Sequence, residues 1–513
     1  MLQKYYKFLL FIIFLIAIIL RWWYLPQNAI SFAYDQARDA FVAQEILSGQ
    51  LKILGPSVSG VPGLSHGVLY YYVISPIYGL SNGNPQSVAY FLSFISSLGV
   101  LTVYYLTYIL TKKVSPSILA ALIFAFSFEA SQYANLLTNA SMGVWFVPFI
   151  YIGLYLWITK SSKWAPIITG VGLGLSIQSE VALGYHLIPI IFWLIVSKEK
   201  IRREEVIKFT LSLFVSILSM IVSEIKFGFS GLQGIYYLLS SQDGIVKSKE
   251  FSDYIVTYIN QISRTFAYTL FPTNIVFGGL MGLMAVVYSL IEKVKEKDRN
   301  MLSWQTFLLS YILIHFIALP FGGWNMTHIM VGAVGGVSVF LAIFIWKYLS
   351  GNKIALLIIV AVILGTNTAQ ILKENKNGQI LFPFQKDLIL SKEIEAVDYT
   401  YGSSNGDKFS ISTLTSPLFV NTLWSYLYNW HGERKYGYVP YWFGRDQVGQ
   451  LGNNLQFAPG NISKHFFIME PTYGIPELYV TYAKGDNDAV SSLIDRKLFG
   501  EIIVEEREYK NVK

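Results

Sequence analysis

The residues best placed to do chemistry are two carboxylates, Asp35 and Asp39, directly behind the first long apolar run of the chain. They lie in Ser31-Phe-Ala-Tyr-Asp35-Gln-Ala-Arg-Asp39-Ala-Phe-Val-Ala-Gln-Glu-Ile-Leu47. At about 100° per residue the two acids share one helix face, and Ala37, Ala40, Phe41 and Leu47 fall roughly opposite. Such a helix can lie on a membrane surface with its carboxylates turned from the lipid. A carboxylate held there, partly desolvated, can act as general base for an acceptor hydroxyl. Lys52 and His66 follow in the same stretch and Arg264 opens a later apolar segment. Together these cations suit a lipid phosphate. Plain solvation of acids beside a membrane gives the same spacing, so the surrounding elements must decide.

Those elements begin with composition. Of 513 residues, 53% are hydrophobic and only 14% charged, with a mean hydropathy of +0.45. A soluble globular chain carries about 25% charge, so this is a polytopic α-helical membrane protein. The net charge of +7 and pI near 9.0 do not call for nucleic acid. Lys and Arg concentrate in the cytoplasmic loops of membrane proteins, and a basic balance follows. The absence of cysteine excludes disulfides, thiolate metal sites and cysteine nucleophiles. Aromatic residues reach 16%, which suits interfacial belts and sugar-stacking surfaces equally.

The apolar run after Lys4 and Lys7 continues to Trp22-Trp23-Tyr24 without a small-residue cleavage site, as an uncleaved first span does. Further runs of spanning character lie near 86–110, 115–134, 140–159, 165–183, 184–197, 206–227, 266–291, 302–320, 326–346 and 354–372, which predicts about eleven spans. With a cytoplasmic N-terminus, the inner loops carry Lys112-Lys113, Lys160 with Lys163, Lys198 through Arg203, Lys293 through Arg299, and Lys347 with Lys353. The short outer loops near Asn135, Gly184 and Gly322 carry no Lys or Arg. This alternation places Asp35 and the C-terminal tail on the outer face.

Two longer stretches interrupt the spans. Residues 48–85 are rich in Gly and Pro and hold Leu69-Tyr70-Tyr71-Tyr72-Val73-Ile74-Ser75-Pro76, a re-entrant or interfacial segment. Residues 228–265 read as a second large outer loop, with Lys226, Lys247, Lys249 and Arg264 near the lipid boundary. Beyond about 375 the chain turns polar, and Phe409-Ser-Ile-Ser-Thr-Leu414 alternates as a strand does. The expected organisation is therefore a membrane domain over 1–375, with an outer loop at 26–85, and an extracytoplasmic soluble domain over 376–513.

The pattern Tyr34-Asp35-Gln36-Ala-Arg38-Asp39-Ala-Phe, Glu45-Ile-Leu-Ser-Gly49, Leu54-Gly-Pro56 and Gly67-Val-Leu-Tyr70-Tyr-Tyr-Val-Ile-Ser-Pro76 resembles the first outer loop of the GT-C membrane glycosyltransferases. It is most similar to glycosyltransferase family 39, the protein O-mannosyltransferase and aminoarabinose transferase kin, over about residues 1–160. The resemblance implies a GT-C-like fold with a small α+β outer domain. It also implies inverting transfer of a sugar from a polyprenyl-phosphate donor to a protein, lipid or glycan hydroxyl outside the membrane, with no cofactor. Asp35 sits at the family's acceptor-activating acid, and Gln36 stands where a second acid is frequent, which leaves Asp39 to take part of that role. His66 lies where relatives place a residue near the donor phosphate, and Lys52 and Arg264 join it. Glu129, Asn139 and Tyr70 are expected at the substrate; Asn139 stands where some relatives have an acid, and it can hydrogen-bond a sugar but not act as a base.

Other residues carry less. Glu180 and Glu224, near predicted span ends, are snorkelling acids or cavity groups. His315 and His328 read as packing residues, and six scattered histidines give no metal signature. A transporter or flippase for a lipid or sugar is the alternative from another class, but transporters place ionisable groups near the midplane and show repeated halves. A catalytically silent relative that only binds is the third reading, kept open by Gln36 and Asn139.

Overall fold

The computed structural model describes all residues except 1, 59–60, 198, 241–249, 296–300, 318–326, 382–386, 453, 461 and 511–513. Lys198, Lys247, Lys249, Arg299 and Gly322 therefore lie outside the described residues. The chain forms a helical membrane protein with a small sheet near its C-terminus. Among the described residues, five stretches are helical, long and apolar enough to cross a membrane: Lys4–Gln27, Pro85–Thr111, Asn139–Ile158, Ile275–Lys295 and Lys353–Asn377. Two bent pairs, Val114–Phe126 with Phe128–Ala134 and Arg203–Ser216 with Leu218–Lys226, raise this to seven if each is one span. The other apolar segments form helices of 10–17 residues.

Two sequence expectations are corrected. The run at 266–291 is two helices, Phe251–Leu270 and Ile275–Lys295, separated at Phe271-Pro272-Thr273-Asn274. Proline lacks the N–H that would continue the ladder, and Asn274 Oδ1 accepts from Phe277 N at 3.0 Å to start the second helix. The stretch 228–265 is accordingly not a loop: its described residues form a helix over Ser230–Ser240 and most of the Phe251–Leu270 helix.

The chain divides into two compact units. The first comprises Met1–Trp23, Lys52–Tyr70 and Tyr90–Asn375. Within it Gly278, Gly279 and Gly282 let the Ile275–Lys295 helix press against the Phe251–Leu270 helix; a Cβ on Gly279 would fall 2.5 Å from Ser263 Cβ. Small residues permit this close approach where water offers no driving force between helices. The contact fixes the rotation of the helix that carries Arg264. The bend of 57° after Phe126 is capped by Ser127, whose Oγ accepts from Ala130 N at 3.2 Å and so puts Glu129 in the first turn of the next helix.

The second unit comprises Tyr24–Leu51, Tyr71–Ala89 and Lys376–Lys513. Its five-stranded sheet has the order β2-β1-β3-β5-β4, with β1 at Phe409–Leu414, β2 at Tyr441–Trp442, β3 at Lys464–Met469, β4 at Ser491–Phe499 and β5 at Ile502–Tyr509. β1 runs parallel to β2 and β3, with Ile411 opposite Phe466, and β3, β5 and β4 are antiparallel neighbours. Every residue of β1 is buried, as in a strand covered on both faces. The edge strand β4 is exposed and carries Asp495, Arg496 and Lys497, charges that discourage pairing with another chain.

Candidate active site

In the second unit the helix carrying the two acids runs over Tyr34–Leu47. It starts at Ala33, whose N–H donates to Gln36 Oε1 at 2.9 Å. Gln36 thus spends its side chain on the helix start, a task an amide performs as well as an acid. Ser48 closes the helix, and Gly49 follows at φ +93°, the left-handed position that favours glycine. Between these ends, Arg38 Nη1 donates to Asp35 Oδ1 at 2.7 Å, and Arg38 Nε and Nη2 reach Asp39 Oδ1 at 2.9 and 2.7 Å. One guanidinium therefore grips both acids. Asp35 is 41% exposed, whereas Asp39 is 2% exposed. Burial pushes the Asp39 carboxyl up to about 6 against the pull of Arg38, and the Asp35 charge adds to the rise. The Tyr71 phenol neighbours the same carboxylate. The arrangement presents one accessible carboxylate, Asp35, held in place by a cation that is itself anchored by a buried acid. Sequence reasoning gave Arg38 no role at the two acids, although its spacing of three from Asp35 was the available signal.

The first unit holds the remaining candidates in two neighbouring groups. One gathers at the C-terminal end of the Ala165–Ser179 helix. Gly67 N donates to Gln178 O at 2.9 Å, and a Cβ on Gly67 would fall 1.6 Å from Gln178 Oε1, so only glycine lets this segment pass. That approach sets His66 beside the next turn. Its Nδ1 accepts from Val181 N at 3.3 Å and lies 3.7 Å from Glu180 Oε1. Asn139 donates its amide to Ser179 O at 2.6 Å. Tyr70 is buried and Lys52 half-buried. Glu180 thus resolves as a buried partner of His66. Glu224 instead accepts from Gly231 N and Leu232 N at 3.2 and 3.3 Å, where an anion suits the start of a helix.

The second group centres on Arg264, only 8% exposed. Its guanidinium faces Glu129 and borders Tyr133 and the Tyr268 ring, 5.7 Å from the ring centroid. None of its three nitrogens has a hydrogen-bond partner of normal geometry among the described residues, the Tyr133 hydroxyl being its nearest, looser polar neighbour, and neither carboxylate oxygen of Glu129 has one. The Tyr133 hydroxyl is committed to Thr327 O at 2.7 Å, and Tyr185, a neighbour of both Tyr133 and Glu180, donates to Ile329 O at 2.6 Å. These tyrosines link the Arg264 group to the His66 group.

The other cations separate clearly from Arg264. Arg21 donates to Ala17 O and Ala125 O at 3.0 and 3.1 Å and to Phe124 O at 3.4 Å, closing the C-terminal carbonyls of a helix. Arg38 belongs to its two acids, and Lys226 is exposed at a helix end. Arg264 is the buried guanidinium whose donors are not committed among the described residues.

A bundle of apolar helices, an acidic helix behind the first of them and a mixed sheet in a second unit make up the fold. The solved structure of ArnT from Cupriavidus metallidurans bound to undecaprenyl phosphate matches it with a TM-score of 0.60, covering 96% of this chain and 97% of that one at 9% identity. At that identity the likeness is one of fold. Residues 65–225 match the family model described as dolichyl-phosphate-mannose-protein mannosyltransferase. A comparison with curated proteins gives no match. The resemblance to glycosyltransferase family 39 read from the first outer loop agrees with both findings.

Proposed function

We propose that the protein transfers a sugar from a polyprenyl-phosphate donor to a hydroxyl acceptor on the outer face of the membrane, with inversion at the anomeric carbon. The observation that carries this reading is Arg264, a buried guanidinium with uncommitted donors in an apolar helical unit. Burying a cation without hydrogen bonds is costly, and a phosphate supplies both charge and acceptors. The ArnT structure holds a polyprenyl phosphate, which accords with such a donor. Asp35 takes the proton of the acceptor hydroxyl as the oxygen attacks the anomeric carbon. The bond to the phosphate oxygen breaks, and the polyprenyl phosphate leaves with the electron pair, its charge met by Arg264, Lys52 and His66. Arg38 and Asp39 fix Asp35, while Glu129, Asn139 and Tyr70 border the sugar. On this reading the chain has about eleven spans, with the acidic helix and residues 376–513 outside.

The test is to purify the protein and compare transfer from a polyprenyl-phosphate sugar with transfer from the matching nucleotide sugar. Transfer from the lipid donor is expected. Activity with the nucleotide sugar alone overturns the reading. Orientation is tested separately: protease added to intact cells should remove the tail, and full protection would reverse the topology.

A further inference from the structure

The second unit contains a cleft of about 330 Å³ lined by Ser81, Asn84, Trp430, His431, Arg434 and Lys435. Pockets for small ligands start at about this size. Its wall is built by an irregular helical run: Thr422–Leu427 is α-helical, Tyr428–Gly432 is a π turn, and Glu433–Tyr436 returns to α before Gly437 ends it at φ +82°. A π turn inserts a residue into the helical repeat and is found frequently at functional sites. Here it delivers Trp430 and His431 to the cleft. Opposite them, the turn at Asn82-Gly83 uses positive φ at both residues. Tyr426 OH donates to Gly83 O at 2.6 Å, and a Cβ on Gly83 would lie 3.3 Å from Trp430 Cδ1, so the turn presses on the indole.

The polar groups of the cleft are arranged as donors. Asp398 holds His431 Nε2 at 2.7 Å, Lys435 Nζ at 2.8 Å and Tyr436 OH at 3.0 Å, which fixes the cationic rim from behind. One carboxylate cannot neutralise every cation there, and Arg434 has no ion pair among the described residues. Asn84 spends its Oδ1 on Gln86 N at 2.9 Å, which leaves its amide nitrogen as a donor. The Trp430 ring lies near-parallel to that of Tyr426, 6.4 Å between centroids. Aromatic face, outward donors and net positive charge coincide in one cleft.

We infer that this cleft binds an acidic saccharide, in which Trp430 stacks on a pyranose ring, Asn84 and Ser81 meet hydroxyls, and Arg434 with Lys435 takes a carboxylate or phosphate substituent. An aromatic ring packs against the C–H face of a sugar, and a guanidinium recognises either anion bidentately. Its use as an acceptor site rests on the transfer reading above; the binding itself does not, and is measured without donor.

The experiment titrates the full-length protein in nanodiscs by calorimetry with a glucuronate-bearing disaccharide, a hexose 6-phosphate and a neutral disaccharide. A parallel arm places a glycolipid with the same acidic headgroup in the nanodisc. The acidic ligand should bind at least about tenfold more tightly than the neutral one. Arg434→Gln should remove that preference, and Trp430→Leu should weaken both ligands. Arg434 is exposed, so its substitution leaves the fold intact, which a thermal melt verifies. Binding in the soluble arm assigns a free saccharide, and binding in the glycolipid arm alone assigns a lipid-linked one. Equal affinity for acidic and neutral sugars, or unchanged binding in both variants, overturns the inference. If binding holds and transfer from a lipid donor fails, the proposed function falls and this site stands.

Discussion

In the Tyr34–Leu47 helix, Arg38 is 17% exposed and its guanidinium meets two carboxylates within 2.7 Å. In the Phe251–Leu270 helix, Arg264 is 8% exposed and its nitrogens meet no hydrogen-bond partner of normal geometry among the described residues. The same side chain does opposite work in the two units. Around Arg38 the charges close on themselves, and what is left over is one oriented acid, Asp35, reachable from solvent. Around Arg264 the donors stay open, which is the condition for holding an anion that is not part of the chain. On the proposed function, the paired cluster positions a group and the open one receives a ligand.

The sharpest way to break this comparison is at its accessible acid. Asp35→Asn keeps size and one acceptor oxygen but cannot take a proton, so transfer should fall by about 10²–10⁴ with thermal stability retained. Single-turnover rates with saturating donor would read this, and near wild-type transfer would remove Asp35 from the mechanism. Next comes the open cluster. Arg264→Gln deletes a charge-assisted contact worth about 1.5–3 kcal/mol, so donor affinity should weaken by about ten- to a hundredfold. Affinity for a polyprenyl phosphate measured by calorimetry should fall with it. An unchanged value would mean that Glu129 alone satisfies the guanidinium.

The paired cluster makes a pH prediction. The Asp39 carboxyl is raised by burial from 3.8 to about 6. Folding thus favours its protonated form: that contribution to stability is full below about pH 4 and is lost as pH rises through about 6. Activity runs the other way, because protonated Asp39 no longer anchors Arg38. Turnover should drop by about tenfold between pH 7.5 and pH 5, and Asp39→Asn should abolish this acid limb. A limb that persists unchanged in the variant belongs to another group. The smallest effect is expected at Asn139, a single neutral donor–acceptor group. Asn139→Ala should raise the KM for the sugar substrate by about three- to tenfold and leave kcat nearly intact, since a neutral hydrogen bond is worth about 0.5–1.5 kcal/mol. A fall confined to kcat would move Asn139 out of the binding role.

Much of the fold was legible because it depends on short-range pattern. Apolar runs announce helices in lipid whatever their neighbours, since each backbone N–H must find its own carbonyl. The Tyr34–Leu47 helix, its end at Gly49 and the strand Phe409–Leu414 follow from periodicity and from a residue that tolerates positive φ. The break at Pro272 was present in the sequence and was outweighed by the length of the apolar run around it. Arg264 was read at the boundary of a span and lies well inside a helix for the same reason.

What the sequence by itself determined was the class of molecule and the residue types available: apolar helices, two acids behind the first one, scattered cations and no thiol. Which cation holds an acid, which closes a helix and which stays open was decided by the tertiary structure alone. Arg21 reaches carbonyls at Phe124 and Ala125, about a hundred positions away, and Glu129 faces Arg264 across a similar separation. Likewise β3 joins β1 and β5 from opposite sides of the tail sequence. Local propensity has no term for such pairs. A charge changes its meaning with its solvent, and only packing determines whether a guanidinium is left in water, tied to a carboxylate, or buried with its donors open.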